Sequence, residues 1–255
     1  LNNAFKNGAV AALVDHIPQN FDTSFPLLVV PDVMEAFRSM ARFSRDRFRG
    51  KVIAVTGSVG KTSTKDFTAS VIAQKFKVNA TKGNRNNHIG LPLSVLSTEE
   101  GDQVCVWEMG MSHAGEIAPL CQIAGPDIGI ITNIGTAHIE FLKTREGIAE
   151  EKSALARALP EQGTLILPAS CDFVDYLIER TRAKVMIAGN CRGVVRAEDL
   201  RITETGSVFK LCIDQQDEVP VELSVSGKHM VNNALLAAAT GHALGMKSPE
   251  IAAGL

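Results

Sequence analysis

Apolar and polar positions change rhythm along this chain, and the rhythm divides it. Residues 51–55 form a short apolar run ending in Thr56-Gly57, the mark of a buried strand entering a turn. A helix is predicted from about Lys61 to Gln74, and further buried strands at 104–107, 127–132, 164–167 and 184–187. Thr144 is placed to cap a helix running to about Leu159, with Pro160 just beyond, and another helix is predicted over 172–181. Strands separated by helices predict a mostly parallel sheet covered on both faces. Near residue 193 the pattern turns to alternation: Val208–Ile213 and Val219–Val225 read as antiparallel strands with one exposed face. A helix from about His229 to Leu244 closes the core, and an amphipathic stretch at 33–48 (Val33, Phe37, Met40) precedes it all as a linker. The expected class is α/β: a mostly parallel sheet flanked by helices, plus a small antiparallel sheet.

Composition narrows the class without naming a chemistry. The 255 residues are 45% hydrophobic and 21% charged, with a formal net charge of −2. That balance suits a globular domain with a sizeable core. Opposite charges are interspersed, so no basic stripe argues for nucleic acid and no like-charge block for a tail. No apolar run reaches the roughly 20 residues of a membrane span. The chain opens with Leu1 and shows no leader-like start, which suggests a piece of a longer protein beginning mid-domain. The five cysteines (Cys105, Cys121, Cys171, Cys191, Cys212) have no metal-ligand spacing and read as reduced, mostly buried residues of a cytoplasmic protein.

The sharpest chemical signal is Thr56-Gly57-Ser58-Val59-Gly60-Lys61-Thr62-Ser63-Thr64, between a strand and a helix. Glycines let backbone N–H groups curl around a phosphate, and the helix N-terminus adds partial positive charge. Lys61 is placed to neutralise outer phosphates and Thr62 to reach Mg²⁺. The general phosphate-loop pattern wants glycine at position 55, where this chain has Val55, so the loop is a variant.

Five other places carry two readings each. Glu108 ends the strand at 104–107; beside a phosphate loop it holds Mg²⁺, and otherwise it is a strand-end carboxylate in solvent. His138 follows the strand at 127–132 and so belongs to the same sheet edge, as a ligand or as a solvated imidazole. Lys152 shares a helical face with Ile148, Leu155 and Leu159. It is either a buried amine that must be paired, deprotonated or modified, or a lysine snorkelling from the edge of that face. The asparagine-rich loop from Lys82 to Pro92 serves tight turns or a ligand, and Gly227 to Asn233 is a helix cap or a purine contact.

Taken in order, the loop at 56–64, the segments Gly83–Pro92, Trp107–Gly110, Thr132–Glu140 and Glu151–Ala156, and Ser226–Ala239 resemble the Mur ligase family, which builds the peptide stem of bacterial cell-wall precursors. The likeness runs from about Gly50 to Leu255. It implies a central ATP-binding domain at 49–255. Residues 1–48 would then be the end of an N-terminal UDP-substrate-binding domain and a linker helix, because Phe5–Val14 resembles that domain's end. The family's third, C-terminal domain is expected to be absent. Within the family, the asparagine-rich loop and Gly115-Glu116-Ile117 are most similar to the type that adds D-alanyl-D-alanine to UDP-N-acetylmuramoyl-tripeptide.

The resemblance also implies roles. Gly57, Ser58, Val59, Gly60, Lys61, Thr62 and Ser63 would bind ATP. Thr62 and Glu108 would hold one Mg²⁺, and His138 with Lys152, carbamylated by CO₂, a second. Asn133 would lie near the adenine and phosphates, and His229 and Asn233 would begin the adenine-side helix. The pattern breaks at Met230, where relatives often have asparagine. The implied reaction forms an acyl phosphate that the amine then displaces, with Lys61, Lys152 and His138 as the catalytic set, in a monomer. Rival readings are a folylpolyglutamate- or cyanophycin-type ligase, a GTP-driven switch and a noncatalytic nucleotide-binding module. The asparagine-rich loop argues against the first. The second lacks an NKxD-like base reader.

Overall fold

The computed structural model describes residues 1–19, 25–189, 193–214 and 216–255, so Cys191 lies outside the described residues. A short helix, α1 (Asn2–Lys6), leads into two three-residue strands, β1 (Ala12–Val14) and β2 (Leu27–Val29), which pair in parallel as a small sheet of their own. Helix α2 (Val33–Arg47) follows; the Asp32 carboxylate accepts the Glu35 N–H and so caps it. At the far end of α2, the Arg45 guanidinium donates to the carbonyls of Ala124 and Gly125. Those carbonyls end a later helix, whose unpaired C=O groups favour a cation.

The main sheet is built from β3 (Lys51–Thr56), β4 (Val78–Ala80), β5 (Val104–Glu108), β6 (Ile128–Ile131), β7 (Thr164–Pro168), β8 (Lys184–Ala188), β9 (Val195–Ile202), β10 (Ser207–Ile213) and β11 (Gln216–Leu223). Their spatial order is β11-β10-β9-β8-β7-β6-β3-β5-β4. Pairings from β4 to β9 are parallel, and those of β10 with β9 and β11 are antiparallel. The antiparallel strands expected from the alternating pattern are therefore present as a continuation of the same sheet. Ala188 of β8 pairs with Val195 of β9, which joins them to it.

Side chains of the central strands alternate between two cores. Val52, Ala54, Cys105 and Trp107 face α2, α4 (Gly90–Leu96), α5 (Ile117–Ala124) and α7 (Arg145–Ala158). Ile53, Val55, Val104 and Val106 face α3 (Lys61–Ala73), α9 (Lys228–Ala243) and α10 (Ser248–Ala253). Burial on both faces explains why these strands read as unbroken apolar runs. The remaining helices, α6 (Ile139–Leu142) and α8 (Val174–Ile178), are short. Among the described cysteines, Cys105, Cys121, Cys171 and Cys212 are free. Burial pushes the thiols of Cys105 and Cys121 up to about 12, which leaves them inert at neutral pH.

Position in the sheet fixes where ligands can approach. Strand β3 lies between β5 and β6, and the chain reaches these neighbours on opposite sides of it. Beyond the C-terminal ends of strands at such a switch point, a parallel α/β sheet opens a crevice. Thr56, Glu108 and Ile131 end the three strands there.

Candidate active site

The loop that leaves β3 is shaped by its neighbours on β6 and α9. The N–H groups of Ser58 and Val59 both donate to Asn133 Oδ1, at 3.0 and 2.9 Å. Thr132 Oγ1 donates to the Val59 carbonyl at 2.6 Å, and the Gly135 N–H donates to Ser58 Oγ at 2.9 Å. A side chain at residue 57 would meet Thr132 Oγ1 at 1.9 Å, so only glycine permits this approach. Gly60 has φ 82, and the carboxamide of buried Asn233 lies where its Cβ would stand. The loop is thus prefolded, with α3 beginning at Lys61.

Lys61 folds back across the loop, its Nζ donating to the Gly57 carbonyl at 3.0 Å. Burial lowers its pKa, and the opposing pull comes from Glu108. Glu108 is only 2% exposed. Its Oε2 accepts the Thr62 hydroxyl at 2.9 Å, its Oε1 accepts Asn86 Nδ2 at 2.7 Å, and its backbone N–H donates to Thr81 Oγ1 at 3.0 Å. The alternative of a solvated strand end is therefore excluded: Glu108 is a buried carboxylate bonded to the residue after Lys61. Hydroxyl and carboxylate oxygens brought together are hard donors, the set that suits Mg²⁺.

His138 is exposed and has φ 64; it lines a cleft of about 230 Å³ with Lys61, Asn86, Ser112 and Glu116. A second cleft of about 400 Å³ shares Asn87, Gly110, Ser112 and Glu116 with it and extends past His88 and His113 to Arg38 on α2.

Lys152 is 1% exposed, in line with Ile148, Leu155 and Leu159 at 0%, 0% and 5%. The snorkelling alternative is thereby excluded. Burial, then the charge of Lys61, lowers its amine from 10.5 to about 7, against the pull of Glu151. Glu151 is bonded elsewhere: its oxygens accept the N–H groups of Gly115 and Ile117 at 2.7 and 2.8 Å. As an ammonium Lys152 does not suit a cation; as a carbamate it presents two oxygens that do.

The structure thus gathers Gly57, Ser58, Val59, Gly60, Lys61, Thr62 and Glu108, with His138 in the cleft beside Lys61; Lys152 lies within reach of the Lys61 charge but lines neither cleft. Asn133 serves the loop's own amides, and Asn233 touches Gly60 through its buried carboxamide. His229 is exposed, its ring against Gly227, and lines neither cleft. Ser63 sits one residue further into α3, half-buried. Glu151, Asn86 and Glu116 had no assigned role in the sequence. Glu151 was detectable, because Ile148, Glu151 and Leu155 are spaced by three and four and share the apolar face. Asn87 explains part of the asparagine-rich loop as turn chemistry: its Oδ1 accepts the N–H groups of Ile89 and Gly90 at the start of α4.

One further group of donors, Glu198, Cys212 and Glu218, lies on β9, β10 and β11. Arg196 pairs with Glu198 at 3.5 Å and Lys210 with Glu218 at 3.2 Å, so these carboxylates already have cations.

A glycine-rich loop between β3 and α3, its threonine bonded to a buried carboxylate at the end of the neighbouring strand, places the chain in the class of phosphate-loop α/β folds. Residues 55–241 match the Mur ligase middle domain, and the chain belongs to the Mur ligase family. Over 255 residues it is 36% identical to the UDP-N-acetylmuramoyl-tripeptide–D-alanyl-D-alanine ligase of Bacillus subtilis (strain 168), covering 100% of this chain and 55% of the relative. Its fold matches a crystal structure of MurF from Acinetobacter baumannii with a TM-score of 0.91 at 33% identity, covering 100% of this chain and 55% of that one. A MurF structure from Thermotoga maritima in complex with ADP gives 0.82 at 28% identity, covering 98% and 58%. The chain spans about half the length of the curated relatives it matches. No helix among the described residues is long and apolar enough to cross a membrane.

Proposed function

We propose that the protein is an ATP-dependent ligase that joins the terminal carboxylate of UDP-N-acetylmuramoyl-tripeptide to the amine of D-alanyl-D-alanine. One observation supports the reading: Lys61, next to the Thr62 that bonds buried Glu108, lines a cleft that shares Asn87, Gly110, Ser112 and Glu116 with a second chamber. A nucleotide on the loop would present its γ-phosphate to a carboxylate arriving from that chamber. The 36% identity to the Bacillus subtilis ligase supports the choice of substrates.

The steps follow from charge. A carboxylate oxygen of the precursor attacks the γ-phosphorus; the bond to the ADP oxygen breaks and an acyl phosphate forms. The neutral amine nitrogen then adds to the acyl carbon, the carbon–oxygen bond to phosphate breaks, and the nitrogen gives up one proton, leaving an amide N–H. Lys61 faces the phosphoryl oxygens, where charge grows, and the α3 N-terminus adds to it; the Ser58 and Val59 N–H groups, bonded to Asn133 in this structure, would have to exchange that partner for the phosphate. Thr62 and Glu108 would hold one Mg²⁺, and His138 with carbamylated Lys152 a second, and these ions would supply positive charge against the phosphates. Lys152 acquires its carbamate when the neutral amine adds to the carbon of CO₂ and releases a proton. Asn133 braces the loop beside the nucleotide through the Ser58 and Val59 N–H groups, and Asn233 and His229 begin the helix on the adenine side.

In this reading residues 1–48 close an N-terminal UDP-substrate domain and residues 49–255 form the ATP-binding domain of a monomer working in the cytoplasm. The test is phosphate release by the full-length protein with UDP-N-acetylmuramoyl-tripeptide, with and without D-alanyl-D-alanine, using ATP or GTP. Release that requires ATP and both substrates is expected. Release indifferent to the dipeptide, or equal with GTP, overturns the proposal.

A further inference from the structure

Glu116 stands where the two clefts meet. It is the one carboxylate among the described residues lining the cleft that holds Lys61 and His138, and it also lines the larger chamber. Glu108, the nearest other acid to the loop, is occupied on both oxygens by Thr62 and Asn86. Glu116 is different. Its Oε2 accepts the Ser112 N–H at 2.7 Å, its Oε1 lies 3.4 Å from His113 Nδ1, and its side chain remains 41% exposed. Burial pushes its carboxyl up, but the Ser112 N–H and His113 outweigh that, and the group stays ionised below the usual carboxylate range.

The turn that carries it is anchored from behind. Glu151 accepts the N–H groups of Gly115 and Ile117, the residues on either side of Glu116. An oriented anion is therefore held on the wall of a cleft only about 230 Å³ in volume, facing the lysine of the phosphate loop. In a ligation, one reactant brings negative charge to that cleft and the other arrives as an ammonium. Lys61 suits the first, and an ionised carboxylate with free lone pairs suits the second.

We propose that Glu116 is an amine-binding residue: it receives the α-ammonium of the incoming amino acid or dipeptide and sets its nitrogen beside the acyl carbon. The proposal rests on the ligase reading above. A firmly ionised carboxylate is a weak base, so its part is to hold and orient the nitrogen rather than to remove its proton. Glu151 acts behind it, as a positioning residue for the turn.

The test uses the full-length enzyme and the Glu116→Gln variant, whose side chain keeps an acceptor for the Ser112 N–H and loses the charge. KM for D-alanyl-D-alanine should rise about 10- to 100-fold, as expected for a lost hydrogen bond between charged groups. KM for ATP and for the carboxylate substrate should move less than twofold, and Glu116→Asp should recover part of the loss. Hydroxylamine, uncharged near neutral pH, intercepts acyl phosphates without needing an ammonium site, so hydroxamate formation should suffer far less than ligation. If the dipeptide KM moves less than threefold, or all three KM values and hydroxamate formation worsen together, Glu116 only shapes the wall and the inference fails. If the wild type makes no hydroxamate from ATP and the carboxylate, the ligase reading itself fails, whatever Glu116 does.

Discussion

Lys61 and Lys152 bring the same ammonium into different surroundings. Lys61 is half-buried and bonded to the Gly57 carbonyl, with Glu108 supporting its charge. Replacing it with alanine removes a preorganised cation that faces growing phosphoryl charge, so turnover of the full-length enzyme should fall by about 100- to 1000-fold. Its thermal unfolding should be little changed, and activity within threefold of wild type would refute the role. Lys152 has weaker support: the charge of Glu151 favours its ammonium, but the Glu151 oxygens are bonded to the N–H groups of Gly115 and Ile117, and burial outweighs the pull. Lys152→Ala should be nearly inactive, and acetate should restore part of the activity by replacing the lost carbamate oxygens. Acetate should not restore Lys61→Ala, whose missing charge is positive. The buried amine also has a stability signature in protein free of metal and CO₂. Its value falls from 10.5 unfolded to about 7 folded, so within that window the unfolded chain holds more protons and the fold gains stability as pH rises. Lys152→Met removes the penalty. Its melting-temperature advantage over wild type should be largest near ~pH 7 and shrink towards ~pH 10. An advantage that does not change with pH would show that the amine is not strained by burial.

Elements were legible in proportion to their length and periodicity. Helix α7 shows this best: Thr144, the apolar stripe and Pro160 mark its start, face and end in the sequence, and the Gly147 N–H does donate to Thr144 Oγ1 at 3.1 Å. Strands β3, β5, β6, β7 and β8 stood out as apolar runs because both faces are covered. Strand β4 has three residues, too few for a period. Strand β9 alternates only in part, and Asp199 with φ 53 interrupts it where β10 shifts register. Within α3, Thr64 and Thr68 sit one turn apart, fully buried, and neither hydroxyl finds a hydrogen-bond partner. A buried hydroxyl without a partner is destabilising, and valine has nearly its shape. Thr68→Val should stabilise the fold by about 1 kcal/mol, read as a higher midpoint in denaturant at unchanged slope. A lower midpoint would mean that the hydroxyl is satisfied in solution.

At the scale of the whole molecule, alternation of strand and helix announced a parallel sheet but not its order. The order comes from long-range pairing, β3 between β5 and β6, which no local pattern encodes. That is why Lys61 and Glu108 could be placed at one sheet edge from the sequence, while the Asn86 bond to Glu108 and the two joined clefts could not. The same arrangement leaves the crevice open. Thr62 and His138 are exposed, and apolar side chains stand near it uncovered: Val59 at 67%, Ile89 at 46% and Phe141 at 46% exposed. Water therefore reaches the groups that, in the proposed reaction, act on phosphate, and the cleft holding Glu116 stays open to solvent. Ligation needs both exclusion of water and a held nucleophile. A polypeptide of these 255 residues alone should fold, bind Mg·ATP weakly and form the peptide bond at least ~100-fold more slowly than the full-length protein, since positioning of this kind is worth at least that much. The comparison is direct: nucleotide binding by calorimetry and dipeptide-dependent phosphate release, both proteins at equal concentration. Ligation by the shorter polypeptide within tenfold of the longer would show that the described residues complete the site by themselves.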